Sequence, residues 1–176
     1  VSTRQDTMAL AHSLQALDQR RSVPSRQLAG PGPDDATLMQ ILASAVRVPD
    51  HGKLVPFRFL RIQGEARYAL GRFVAARSKA RNPEASEAVL DKDRQRFSHA
   101  PLVIAVIARV DSQHKVPAQE QLLTAGCVCF ALLQAAQAHG FGAQWLTAWM
   151  AYDEEVARHL GLSADERVVG FIISAR

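Results

Sequence analysis

The chain of 176 residues is poor in cysteine and in aromatic residues. Its two cysteines, Cys127 and Cys129, are two positions apart, and on a helix this spacing points them to different sides, so the sequence predicts no disulfide. No second Cys or His pair stands at ligand spacing, which argues against a metal site. We expect both cysteines to fill core space as small apolar side chains, in a protein of the reducing cytoplasm.

Two further absences argue against a membrane or a nucleic acid as partner. The longest apolar run, residues 125–133, is far shorter than the roughly 20 residues that cross a bilayer, and the polar N-terminus shows no signal peptide. The net charge of +4 is mild and spread along the chain. No basic tract with interleaved aromatic residues occurs, so no nucleic-acid partner is indicated.

The usual catalytic motifs are also missing. The sequence contains no GxGxxG, GxxxxGK[ST], GxSxG or HExxH pattern. No nucleophile stands beside an evident base, and the adjacent Glu154 and Glu155 do not suit acid–base catalysis. We therefore assign no catalytic side chain, and we expect a bound cofactor to supply the chemistry if the chain is an enzyme.

Periodicity predicts a single α+β domain over residues 1–176. The predicted helices cover residues 7–19, about 35–48, 64–80, 84–98, 119–139 and 153–160, and the predicted strands cover residues 57–62, 101–108, 143–147 and 168–173. The continuous apolar run over 101–108 predicts a central strand buried on both faces. Asp34 or Asp35 is expected to cap the second helix, and the high charge of residues 84–98 indicates a solvent-facing helix. Helices and strands mix without strict alternation, which favours α+β over a doubly wound sheet. The helix over 119–139 is apolar on nearly all sides, and in so small a chain this indicates that a second subunit covers part of it.

The triplet Arg20-Arg21-Ser22 follows the first predicted helix and precedes Pro24. Guanidinium groups match phosphate oxygens bidentately and stay charged at any working pH, so the triplet is a candidate phosphate site. Adjacent arginines are also common on solvated surfaces, and this alternative remains open.

Two other segments carry candidate ligand-binding side chains. Arg47 stands at a predicted helix C-terminus, where the helix dipole favours a cation. His51, on the following loop, either caps a local carbonyl or donates to a carbonyl or phosphate of a ligand. Trp145 is either a core residue or, with Leu146 and Thr147, borders a flat aromatic ligand.

Taken in order, these segments resemble the nitroreductase superfamily, most closely its compact single-domain YdjA-like branch. The matching segments are Arg20-Arg21-Ser22, Arg47 with Pro49-Asp50-His51, Pro56-Phe57-Arg58-Phe59, Ala100-Pro101-Leu102, His114-Lys115-Val116-Pro117, Glu120-Gln121, Ala125-Gly126-Cys127, Gly140-Phe141-Gly142, Trp145 and Val169-Gly170-Phe171. Each is weak alone, but the ordered set spans nearly the whole chain.

The resemblance implies an α+β sandwich with a central, mostly antiparallel sheet flanked by helices. It implies an intertwined homodimer with one FMN per subunit at the interface. It further implies that hydride passes from NAD(P)H through FMN to a nitroaromatic, quinone or similar small acceptor by a ping-pong mechanism. A flavoprotein that binds or stores FMN without a dedicated acceptor is the alternative.

The resemblance also implies a role for each candidate site residue. Arg20, Arg21 and Ser22 would hold the FMN phosphate and adjacent groups. Arg47 and His51 would reach the FMN of the partner subunit. Trp145, Leu146 and Thr147 would border the isoalloxazine ring.

Overall fold

The computed structural model describes residues 14–176. The first described helix, α1, occupies residues 14–18. The prediction of a helix over 7–19 is therefore confirmed for its C-terminal part, whereas residues 7–13 lie outside the described residues. Leu14 and Leu17 are both exposed on this helix.

Four strands form one antiparallel sheet in the order β1-β2-β4-β3. They are β1 (Phe57–Gln63), β2 (Leu102–Arg109), β3 (Gly142–Leu146) and β4 (Glu166–Ala175). All residues of β2 except Arg109 are buried, which confirms the prediction of a central strand. The edge strand β3 pairs only with residues 171–175 of β4, so the first half of β4 is unpaired on that side.

Helices cover both faces of the sheet. On one face lie α2 (Asp35–Ala45) and α5 (Ala118–Ala138), and on the other lie α3 (Glu65–Arg81), α4 (Glu87–Arg94) and α6 (Glu154–His159). The Asp34 side chain accepts a hydrogen bond from the Thr37 N–H at 2.8 Å, which satisfies an otherwise free donor at the start of α2. Of the two predicted candidates, Asp34 is therefore the cap and Asp35 is the first residue of the helix.

The long helix α5 is buried on one side only. Leu123 is 60% exposed and Phe130 is 43% exposed, whereas the side that faces the sheet is buried. Cys129 is buried, but Cys127 is exposed, so the expectation that both thiols fill core space is wrong for Cys127. The cause is their two-residue spacing, because only one side of α5 packs against the sheet.

Among the described helices, α5 is the one that is long and apolar enough to cross a membrane, judged by length and composition alone. Half of its most apolar window is nevertheless buried within the fold. Length and composition of this one helix are therefore weak evidence for a membrane span.

The predicted helix over 84–98 is too long. The helix α4 ends at Arg94, and the chain then turns so that Phe97 is fully buried and packs edge-on against Phe171 at 4.9 Å between ring centroids. Burial of this aromatic ring outweighs the high charge that indicated a solvent-facing helix.

Candidate functional site

Residues 20–22 follow the end of α1 and lie beside the beginning of β3. The Arg21 N–H donates to Gln137 Oε1 at 3.2 Å, near the end of α5. The Val23 N–H donates to the Ala143 carbonyl at 3.0 Å, so the segment runs along the free edge of β3. The backbone of the predicted phosphate segment is therefore fixed at two points, while the Arg21 side chain is exposed.

Three candidate arginines have no carboxylate partner among the described residues. Within residues 14–176, Arg20, Arg21 and Arg47 form no ion pair with a carboxylate. Arg58, by contrast, forms a bidentate pair with Glu166 at 2.6 and 2.8 Å. Arg58 is therefore already occupied by a structural carboxylate, which distinguishes it from the candidate phosphate ligands.

Trp145, near the end of β3, is held by an irregularity in β4. Val106 of β2 pairs with Gly170 and Ile107 pairs with Val168, so Val169 is the extra residue of a β-bulge. The Trp145 Nε1–H donates to the Val169 carbonyl at 3.3 Å. A Cβ on Gly170 would overlap the indole, so only glycine leaves room for it.

The chain turns sharply after the indole. Leu146 is the last residue of β3, and Thr147 lies outside it, so the prediction that Thr147 belongs to the strand is wrong. The reason is Ala148, which has φ 52° and ψ −176°, a backbone region that is essentially reserved for glycine. A short 3-10 turn, Trp149–Tyr152, begins directly after it.

A cavity of about 530 Å³ opens beside Trp145. It lies between the exposed side of α5, the unpaired half of β4 and the region of α6. Its wall includes the mainly apolar residues Leu122, Leu123, Gly126, Trp145, Tyr152 and Val169. A largely apolar cleft with an indole in its wall suits a planar aromatic molecule.

Arg47 and His51 lie beside other parts of the long helix. Arg47 lines a second cavity, of about 550 Å³, together with Leu17 of α1 and Phe130 of α5. His51 begins a 3-10 turn, and its Nδ1 lies 2.6 Å from Glu120 Oε2 in the first turn of α5. Both predicted side chains are exposed in the single chain.

A single chain does not bring all the predicted site residues together. Arg21 contacts Gln137 near the end of α5, whereas His51 contacts Glu120 near its beginning. Seventeen residues of helix separate these contacts, or about 25 Å along the axis. Trp145 and residues 20–22, by contrast, flank the same short strand.

Sequence reasoning missed the residues that shape this region. The signal at Gly170 was present, because a glycine inside an apolar strand often marks a close approach by another group. Ala148 gave no signal, since alanine rarely adopts a positive φ. His114-Lys115 is one of the segments that resemble the family. Within the chain, His114 stabilises its own loop, because its Nδ1 accepts from the Val116 N–H at 3.0 Å.

Comparison with known proteins decides the family. The model of the family described as "Nitroreductase family" matches residues 17–175, nearly the whole of the described chain. The chain belongs to the nitroreductase family. Among curated relatives in the nitroreductase family, YdjA of Escherichia coli (strain K12), provisionally named an NAD(P)H nitroreductase, is 35% identical over 161 residues, which are 91% of this chain and 85% of YdjA.

Solved structures show the same nitroreductase fold. A nitroreductase-like protein from Bacillus cereus superposes with a TM-score of 0.75 at 21% identity, over 92% of this chain and 83% of that one. The FMN and NADPH-dependent nitroreductase NfnB from Sphigopyxis sp. strain HMH superposes with a TM-score of 0.72 at 18% identity, over 92% and 86% of the two chains. The α+β fold predicted from the sequence is thereby confirmed.

In this nitroreductase-family chain, one carboxylate at the rim of the cavity is fixed by arginine. Hydrogen bonds from Arg58, together with the Ser163 N–H, lower the pKa of Glu166 to about 2. Glu166 therefore stays ionised and paired, and it does not act as a proton donor near neutral pH.

Proposed function

We propose that the protein is a cytoplasmic, homodimeric, FMN-dependent oxidoreductase. It transfers hydride from NAD(P)H through flavin to a nitroaromatic, quinone or similar small acceptor, by a ping-pong mechanism. Family membership and the names of its relatives support this class of reaction. The chain forms one FMN-binding domain in this proposal.

One observation carries the proposal: the candidate phosphate ligands and the candidate ring-binding residue lie at the two ends of the edge strand β3. Residues 20–22 lie beside the beginning of β3, and Trp145 lies near its end. From Ala143 to Leu146 the strand spans about 10 Å. At one end are arginine side chains that form no ion pair within residues 14–176, and at the other is an indole beside an apolar cavity. Together they match a phosphate joined by a chain to a flat ring.

The residues present fit FMN on their donor chemistry. Arg20 and Arg21 would hold the phosphate through charge-assisted hydrogen bonds, and the Ser22 hydroxyl would donate to it or to an adjacent oxygen. Trp145, Leu146 and Thr147 would border the ring system. FMN, when bound, supplies the group that accepts hydride from NAD(P)H and passes it on.

The position of His51 supports a dimer. His51 lies too far from residues 20–22 along α5 for one FMN to contact both in a single chain, whereas Arg47 shares a cavity with Leu17 near the end of the helix that contacts Arg21. A second copy whose α5 runs in the opposite direction would bring its His51 to residues 20–22. The exposed apolar residues Leu123 and Phe130 on α5 are then covered by the partner.

This chain's own groups would create the electrostatic environment of the reaction. Arg47 and His51, delivered by the partner subunit, would add positive charge and hydrogen-bond donors beside the ring, which favours an anionic reduced form. The apolar cavity beside Trp145 would exclude water and accept a planar compound. No side chain of the protein needs to form a covalent bond with the substrate.

The decisive experiment combines a spectrum with rapid mixing. The purified protein is expected to bind FMN and show its visible absorption, and mixing with NADPH or NADH is expected to bleach that absorption rapidly. Addition of a nitroaromatic or a quinone should restore it. A protein that binds FMN but is bleached by neither nucleotide would instead be a non-catalytic FMN-binding or storage protein.

A further inference from the structure

We infer that Glu120 is a positioning residue for His51. Glu120 lies in the first turn of α5, and one of its carboxylate oxygens lies 2.6 Å from His51 Nδ1. The inference rests on the proposed function for its consequence, since that function places His51 beside FMN. The geometry itself does not depend on any ligand.

A second contact ties the chain segment that carries His51 to α5. Thr124 Oγ1 donates to the Pro49 carbonyl at 3.1 Å. Thr124 follows Glu120 by four residues, so both side chains lie on one face of the helix, one turn apart. The chain segment that carries His51 is therefore attached to α5 at two successive turns.

The backbone of this segment is strained. Lys53 has φ 54° and Val55 has φ 48°, and a β-branched residue at positive φ is a clear outlier. The Asp50 carboxylate accepts from the Leu54 N–H at 3.2 Å and from the Val55 N–H at 2.8 Å, which compensates part of the strain. Strain of this kind persists where surrounding contacts over-determine the backbone, and it is enriched at ligand-binding sites.

The contact with Glu120 determines the tautomer of the His51 imidazole. A carboxylate acceptor at Nδ1 selects the tautomer that carries its proton on Nδ1. Nε2 is then the free nitrogen, and it presents a lone pair in the neutral form or a second N–H in the protonated form. Glu120 thus determines which nitrogen of His51 is presented to a ligand and in which direction.

An exposed pair of this kind contributes little to stability, so its role is orientation. His51 has 66% of its side chain exposed and Glu120 has 47%. Exposed ion pairs typically contribute little to folding, because water screens the charges and two long side chains must be held in one geometry. A loss of the carboxylate should therefore leave folding nearly unchanged while it alters the imidazole.

The test is nitrogen NMR of the full-length protein labelled at histidine side chains. Spectra are recorded at alkaline pH, where imidazoles are neutral, and the His51 signals are identified by their loss in H51Q. The wild type is expected to show the Nδ1–H tautomer, and E120A is expected to shift His51 towards the Nε2–H tautomer. E120Q, which keeps an acceptor oxygen, should retain the wild-type tautomer.

FMN titration of the same proteins provides the second measurement. E120A is expected to raise the FMN dissociation constant about tenfold, the effect of one charge-assisted hydrogen bond. The matched control is E87A, because Glu87 also lies in the first turn of a helix but on α4. E87A should change neither the His51 tautomer nor FMN affinity.

The outcomes separate this inference from the proposed function. An Nε2–H tautomer in the wild type, or the same tautomer in the wild type and E120A, would overturn the positioning role. If E120A shifts the tautomer but neither E120A nor H51A changes FMN affinity, the positioning role stands and the assignment of His51 to the FMN site fails.

Discussion

The Trp145 indole lies against Gly170 so closely that a β-carbon at position 170 would overlap it. The same indole donates to the carbonyl of Val169, the bulged residue of β4. The position of Trp145 is therefore set by the neighbouring strand as much as by its own. This relationship makes Gly170 a determinant of the candidate ring-binding region.

We expect G170A to lower the free energy of unfolding by about 1–3 kcal/mol, because the added methyl group forces the indole out of its place. Urea denaturation measures this change. The control is the same substitution in a W145A background, where the overlap no longer exists and the cost should be much smaller. An equal cost in both backgrounds would contradict the steric explanation.

We expect A148G to raise the free energy of unfolding by about 1 kcal/mol. Glycine relieves the strain of a backbone region that alanine adopts only at a cost, although its greater freedom in the unfolded chain offsets part of the gain. The control is A151G, three residues later in the short turn, which should be destabilising. Thermal or urea unfolding compares the two, and a loss of stability in A148G would show that Ala148 is unstrained.

Charge reversal at Arg20 should weaken FMN binding strongly. R20E replaces a phosphate donor with a repelling carboxylate, and we expect the FMN dissociation constant to rise about 100-fold. The control is R26E, an identical reversal at an exposed arginine in the nearby 3-10 turn. Fluorescence titration measures both, and full flavin occupancy in purified R20E would remove Arg20 from the phosphate site.

A charge on the exposed side of α5 should separate the proposed dimer. F130D is expected to give monomers in sedimentation or light-scattering measurements, because an unpaired carboxylate would be buried in an apolar interface. The control is M39D, since Met39 is an apolar residue on α2 with 64% exposure, more than the 43% of Phe130. A dimeric F130D protein would place the subunit contact elsewhere.

The pair of Arg58 and Glu166 should give the protein an acid-sensitive component of stability. The pKa of Glu166 is lowered from 4.5 to about 2, so the folded state binds this proton less readily than the unfolded chain. The stabilisation is complete above about pH 4.5 and is lost as the pH falls towards 2. E166Q should lower stability by about 1 kcal/mol at pH 7 and flatten the decline across this window. An unchanged pH profile of urea unfolding in E166Q would contradict the assignment.

Most elements of the fold could be predicted because their signals are local. The apolar run of β2 predicts a buried central strand, and the pair Asp34 and Asp35 predicts the start of α2. The end of α4 could not be predicted, because the burial of Phe97 depends on Phe171, which is far away in the sequence. The exposure of Cys127 likewise depends on which side of α5 meets the sheet.

The candidate site was predicted in pieces but not in its arrangement. The sequence identifies Arg20 and Trp145 as types of residue that bind phosphate and flat rings. Their placement at the two ends of β3 follows from strand pairing, and no local pattern encodes that pairing. The link between His51 and Glu120 spans 69 positions, so the spacing of charges along the chain gave no indication of it.

The position of Arg21 and His51 at opposite ends of one helix has a consequence for how the protein is handled in solution. If each pocket is completed only by the neighbouring copy, cofactor retention and self-association are linked equilibria. Dilution should then release flavin, and added FMN should in turn hold the two copies together at concentrations where the apoprotein dissociates.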